Sequence, residues 1–202
     1  MHYENVTIDI ESTDTANTSK ILSIGVVPFN WGENVSFDEL CNRESSLYLT
    51  LDLSSFPAGF TESASKMEWW ERQGEAARHV LAPSPTDISI KDALLKLHIH
   101  LCAHVLPLTK DGGQVFCRGY DFDGGILEHA YEQLELLTPW TYNRFRCVRT
   151  TIDILADSRN GYVVEKNPAG FIKHHALHDA AKDTLTMLAL NKAHHASNNT
   201  AH

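Results

Sequence analysis

The chain has 202 residues, 43% hydrophobic and 21% charged, with a formal charge of −9, which suits one globular domain with a sizeable core and excludes collagen, coiled coil and a disordered tail. No apolar run approaches the roughly 20 residues of a membrane-spanning helix, and Met1-His2-Tyr3-Glu4-Asn5 lacks the basic and apolar segments of a signal peptide, so a cytoplasmic protein with no membrane partner is expected. The acidic balance argues against coating nucleic acid with a broad basic surface, but it leaves room for an enzyme that grips one strand end, because carboxylates that hold cations inflate the acidic count.

From Tyr3 to Ile10 apolar residues alternate, with Val6, Ile8 and Ile10 on one face and Thr7 and Asp9 on the other, which predicts a strand. A polar turn over Ser12 to Ser19 and a β-rich run over Ile21 to Phe29 predict an antiparallel hairpin, and Ser46 to Leu53 a third strand. Ser65-x-x-Glu68 has the form of a capping box opening a helix through Trp69, Trp70 and Arg72; Glu75 to Leu81 follows as a short helix. Leu94, Leu97, Leu101 and Val105 give helical spacing to Ile90–Leu106. Gln114 to Arg118 reads as a buried strand, Phe122 to Leu137 as a helix, and Cys147-Val148 as a last strand before a helical Thr151 to Ala156. A loop from Ser158 to Phe171 leads to a final helix over Ala176 to Lys192. The expectation is one α/β domain over residues 1–192, a mixed sheet flanked by helices, with a loose polar tail over 193–202. Cys41, Cys102, Cys117 and Cys147 form no C-x-x-C pair and are expected as separate reduced thiols. His98, His100 and His104 are expected on a surface helix face.

Asp9 and Glu11, two apart on a strand, leave the same face; the pair reads either as a solvated strand end or as a holder of something positive. Asp123 begins a helix directly after a buried strand, so it is either an N-terminal charge that favours the helix or part of a site at the sheet edge. Asp179 lies early in the last helix, with His174 on the loop before it and His175 and His178 beside it. If the four carboxylates converge, they cannot all stay ionised without cations. An all-oxygen set fits Mg²⁺ or Mn²⁺ better than zinc, and two such ions about 4 Å apart form a clamp for phosphodiester displacement, with a neutral histidine to take the water's proton. Trp69-Trp70 reads as a base-stacking pair or as core. Arg118, Arg144, Arg146 and Arg149 are the basic cluster of this acidic chain, placed either to meet phosphates or to pair with nearby acids.

At these residues the sequence resembles a known family. Asp9-Ile10-Glu11-Ser12-Thr13 is similar to the first motif of the DEDD exonuclease superfamily, Phe122-Asp123 to the second, and His174-x-x-x-x-Asp179 to the third in its histidine-bearing DEDDh form. Trp69-Trp70, Glu75-Ala76-Ala77-Arg78, Cys117-Arg118-Gly119, Phe145-Arg146-Cys147-Val148-Arg149-Thr150 and His178-Asp179-Ala180-Ala181-Lys182-Asp183 resemble the subgroup of phage exodeoxyribonuclease A and related bacterial 3′–5′ exoribonucleases. The resemblance spans about Thr7 to Leu190. It implies a ribonuclease H-like fold, two divalent ions, Mg²⁺ or Mn²⁺, on Asp9, Glu11, Asp123 and Asp179, and His174 as general base, with His178 as its rival. It departs from many relatives at Asp14, where they carry glycine.

The expected function is therefore a 3′–5′ exonuclease releasing nucleoside 5′-monophosphates from a single-stranded or 3′-overhang end, with DNA favoured over RNA. Ser12, Thr13, Trp70, Arg118, Phe122, Arg146 and Arg149 are candidates for substrate contact, and a homodimer is compatible with this reading. The alternatives are an exoribonuclease, an inert nucleic-acid-binding module of the same fold, and an unrelated metal phosphoesterase acting on small molecules.

Overall fold

The computed structural model describes residues 2–199. In chain order its elements are β1 (Asn5–Ser12), β2 (Ile21–Phe29), α1 (Phe37–Asn42), β3 (Leu47–Thr50), α2 (Ala64–Glu71), α3 (Glu75–Arg78), α4 (Ile90–His104), β4 (Gln114–Cys117), α5 (Gly125–Gln133), β5 (Phe145–Cys147), α6 (Val148–Ala156) and α7 (Ala176–Asn199). The five strands form one mixed sheet in the order β3-β2-β1-β4-β5. β1 and β2 make the expected antiparallel hairpin, with Asp9 opposite Gly25 and a register shift between Glu11 and Ser12. β4 and β5 run parallel to β1.

The alternation of β1 decides what each face of the sheet meets. Val6, Ile8 and Ile10 join Ile24, Val26 and Leu49 against α4 and α5, with Leu94, Leu97, Leu101, Ile126, Leu127 and Tyr131 completing that core. The other face is covered by α6 and α7, through Phe29, Phe116, Val148, Ile152 and Met187 and through Val27, Ala180 and Ala181. Covered on both sides, β2 is buried along its whole length, which is why it reads as a continuous apolar run without alternation.

Gly25 sets how closely α7 approaches. A Cβ there would lie 2.2 Å from the Ala176 carbonyl carbon and 2.3 Å from the Leu177 nitrogen, so only glycine lets the start of α7 rest on the strand. Ala176, Ala180 and Ala181 are fully buried along the same contact, and the Thr184 hydroxyl donates to the Thr7 hydroxyl at 2.7 Å. Small side chains thus bring the first turns of α7 beside Asp9.

Several boundaries differ from the sequence expectations. α2 is capped by Ser63, whose hydroxyl accepts from the Lys66 N–H; Ser65 lies inside the helix. The helix α1 was not foreseen, although Ser36 and Glu39 form a complete capping box. Val148 belongs to α6, not to β5. The helix expected from Phe122 to Leu137 begins as a π-helical turn over Tyr120–Gly124 and ends at Gln133. α7 runs on to Asn199, so the expected loose tail from Ala193 is helical over that stretch; residues 200–202 lie outside the described ones.

Candidate active site

β1 and β4, parallel neighbours, end at the same edge of the sheet, the place where open α/β sheets bind ligands. A cavity of about 560 Å³ opens there, and Asp9, Glu11, Phe122, Asp123, Arg149, His174 and Asp179 all line it. The π-helical turn after β4 carries Asp123, which is only 3% exposed and whose Oδ1 accepts the Ile10 N–H at 3.4 Å. This bond fastens the turn to β1 between Asp9 and Glu11.

The spacing of His174 and Asp179 has a local cause. The Asp179 Oδ2 accepts the His174 N–H at 2.7 Å, closing the chain just before α7. His174 holds a left-handed backbone, φ +63°, a conformation that costs of order 1–3 kcal/mol for a residue with a side chain. Its ring meets Trp69 edge-on at 4.7 Å between centroids and Trp70 at 6.1 Å, while Nδ1 lies 4.0 Å from Glu11 Oε1. The possible ligand atoms of Glu11, His174 and Asp179 fall within 4.8 Å of one another.

Crowding and burial raise the proton affinity of the carboxyls. Burial, then Asp123, Glu11, Asp179 and Asp183, push Asp9 well above the usual carboxylate range. Burial and Asp179 raise Glu11 to about 8. Burial raises Asp123 to about 7, against the Ile10 N–H, and Asp179 to about 6, against the His174 N–H. Burial, Lys173 and Lys66 lower His174 to about 4, so its imidazole is neutral at pH 7. An oxygen-rich set under this much mutual repulsion fits a hard divalent cation, which would replace the missing counter-charge.

The other histidines are engaged elsewhere. His178 accepts the Ile172 N–H at 3.0 Å through Nδ1 and packs edge-on against Phe37. His175 stacks on Tyr48 at 4.1 Å. Neither lines the cavity.

Among the residues expected to contact substrate, the structure separates two groups. Phe122 and Arg149 face the cavity. Trp70 does not: it is fully buried, with Nε1 donating to the Ser12 carbonyl at 2.9 Å, and its neighbour Trp69 lines the cavity instead, as the roughly 100° between successive helical residues requires. Ser12 and Thr13 are also buried, their hydroxyls donating to backbone carbonyls of Asp14 and of Lys20 and Thr61. Arg146 lies away from the cavity and donates to the carbonyls of Asn143 and Phe145. Arg118 reaches the cavity wall, but its guanidinium is engaged with Asp183, Nε donating to Oδ2 at 2.9 Å and Nη2 to Oδ1. Arg149 has no carboxylate within ion-pair distance among the described residues.

Sequence reasoning missed Asp183, Lys66 and Tyr162, which share the cavity. Asp183 had a signal, since it falls four residues after Asp179 on one helix face. Lys66 sits 3.9 Å over the Trp69 ring and adds positive charge beside Glu11.

A family model described as the 3′-5′ exoribonuclease Rv2179c-like domain matches residues 4–190. The exodeoxyribonuclease of Enterobacteria phage T4 is 29% identical over 198 residues, 89% of this chain and 86% of the phage protein. Among solved structures, the nuclease domain of 3′hExo, a DEDDh family member bound to rAMP, is similar with a TM-score of 0.56 at 13% identity, over 93% of this chain and 90% of that one. Cell-death related nuclease 4 gives 0.60 at 13%, over 94% and 64%. Exonuclease I of E. coli, in complex with an oligonucleotide, gives 0.54 at 11%, over 92% and 39%. These structural likenesses show a shared ribonuclease H-like fold.

Proposed function

We propose that this chain, which belongs to the family of Rv2179c-like 3′-5′ exoribonuclease domains and is a 3′-5′ exonuclease, removes nucleoside 5′-monophosphates from a single-stranded end or 3′ overhang. In this reading Asp9, Glu11, Asp123 and Asp179 hold two divalent ions, Mg²⁺ or Mn²⁺, and His174 is the general base. The observation that carries it is the convergence of four carboxyls of raised proton affinity and a neutral imidazole on one cavity at the sheet edge.

When bound, divalent ions supply Lewis acidity at the phosphodiester and ease deprotonation of the attacking water. The chain's own residues do the rest. The neutral His174 ring, steadied by Trp69 and Trp70, accepts the proton of that water. Arg149, free of carboxylate partners, meets a substrate phosphate. Trp69 presents an aromatic face to a base, which requires that base to be unpaired. That requirement selects single strands, and a structure of E. coli exonuclease I, similar in fold, is a complex with single-stranded DNA. DNA is favoured over RNA on the strength of the phage exodeoxyribonuclease, which matches across most of its length; the family model's description carries the RNA reading.

Matched 5′-labelled DNA and RNA oligomers, incubated with Mn²⁺, Mg²⁺ or EDTA, test the proposal. A ladder shortening from the 3′ end, abolished by EDTA and faster on DNA, is expected. Intact substrate in every lane with folded, metal-supplied protein would overturn it, and a faster ladder on RNA would reverse the sugar assignment.

A further inference from the structure

After α6 the chain makes a turn that the catalytic scheme above does not use. Asp157 ends the helix in a left-handed conformation, and Asp153 Oδ1 then accepts both the Ser158 hydroxyl at 2.6 Å and the Gly161 N–H at 2.8 Å. The Gly161 carbonyl accepts from Arg118 Nη1 at 3.1 Å. Gly161 has φ +65°, and a Cβ on it would lie 2.5 Å from Arg149 Cβ, so the turn sits directly on the Arg149 stem. These contacts project Tyr162 into the active-site cavity, where it is 56% exposed.

One side of the Tyr162 ring is backed by the Arg118 guanidinium, 4.5 Å from the centroid. That guanidinium is itself fixed by Asp183, so the ring rests on a rigid cationic plate. Burial works to raise the phenol's proton affinity, but the Arg149 and Arg118 guanidiniums beside its hydroxyl outweigh it and lower the value. An aromatic ring left largely in solvent, on a pinned turn and beside an arginine with no carboxylate partner among the described residues, has the chemistry that receives a planar base whose phosphate meets the arginine. The cavity holds a comparable pair, Trp69 with Lys66.

We infer that Tyr162, with Arg149, forms a second nucleotide subsite beside the Trp69 position, so that the bound strand is gripped over at least two unpaired nucleotides. This rests on the proposed exonuclease reading. Stacking of a base on Tyr162 sets affinity and leaves the chemical step to the carboxylates and His174. A base–aromatic contact corresponds to roughly 5- to 150-fold in binding.

The test compares wild type, Tyr162→Ala and Tyr162→Phe on a 5′-labelled single-stranded oligomer and on a series carrying one abasic nucleotide at each of the last four positions. Tyr162→Ala should raise KM by roughly 5- to 150-fold with kcat nearly unchanged, and Tyr162→Phe should behave as wild type. In the wild type an abasic nucleotide at one position should raise KM similarly, and in Tyr162→Ala that position should become indifferent. An unchanged KM, or an abasic profile in Tyr162→Ala that matches the wild type, would overturn the subsite. If the wild type cleaves nothing, the exonuclease reading fails. The subsite is then judged by anisotropy of the same labelled oligomers, where equal affinity of wild type and Tyr162→Ala overturns it. Because Tyr162 is largely in solvent, all three proteins should melt alike.

Discussion

On one face of β1, Val6, Ile8 and Ile10 are at most 3% exposed and pack against α4 and α5; on the other, Thr7, Asp9 and Glu11 face α7 and the cavity. The apolar face gains free energy from every methylene it buries. The acidic face loses it, because burial and mutual repulsion keep Asp9 and Glu11 protonated well above their ordinary range. The same alternation that builds the core therefore assembles, one residue out of phase, a cluster that is unfavourable by itself. Stability and chemistry are separated by the pleat of a single strand.

Substitutions on the two faces should separate in the same way. Asp123→Asn, which keeps the shape and can still accept the Ile10 N–H, should abolish turnover on labelled oligomers while the metal-free protein melts no lower than wild type. Detectable wild-type-like cleavage would place the chemistry elsewhere. His174→Ala should reduce kcat by roughly 10²–10⁴-fold as expected for loss of a general base; a larger loss in His178→Ala than in His174→Ala would reverse their roles. Ile8→Ala, on the core face of β1, should cost about 2–5 kcal/mol in denaturant unfolding. At a temperature where it stays folded, its kcat should remain within a few-fold of wild type. A collapse of kcat without loss of stability would show that the two faces are not separable.

Much of this was legible before the structure. The period-two pattern of β1 placed Asp9 and Glu11 on one face, and the strand-to-helix passage at Phe122-Asp123 placed a carboxylate at the sheet edge. What stayed hidden depended on direction and reach. Ser65-x-x-Glu68 satisfies the capping pattern, but a serine in the first turn shows the same spacing as an N-cap, and Ser63 two residues earlier does the capping. The same pattern at Ser36 and Glu39 does cap a helix. The choice of Trp70 as the substrate-contacting ring is reversed by the structure in favour of Trp69, since only the packing of α2 against Ser12 shows which ring turns inward. For Arg118 the sequence leaves phosphate contact and an acidic partner equally open, and Asp183, 65 residues away, takes its guanidinium. Long side chains choose partners that local patterns do not reveal.

If the carboxylates of the acidic face hold cations, as proposed, the melting temperature of the full chain in EDTA and in Mn²⁺ between pH 6.5 and 8 must report it. Below about 6.5 the lowered values of His174 and His175 pull stability the other way. Above it the opposing contribution of the histidines fades and the carboxyls come to dominate: with Glu11 raised to about 8 and Asp123 to about 7, the folded chain holds protons that the unfolded chain has already released. Stability of the metal-free protein should therefore fall as pH rises through this window, and Mn²⁺ should raise the melting temperature most at pH 8. A metal-free melting temperature that is flat or rising across the window, or one indifferent to Mn²⁺, would contradict it.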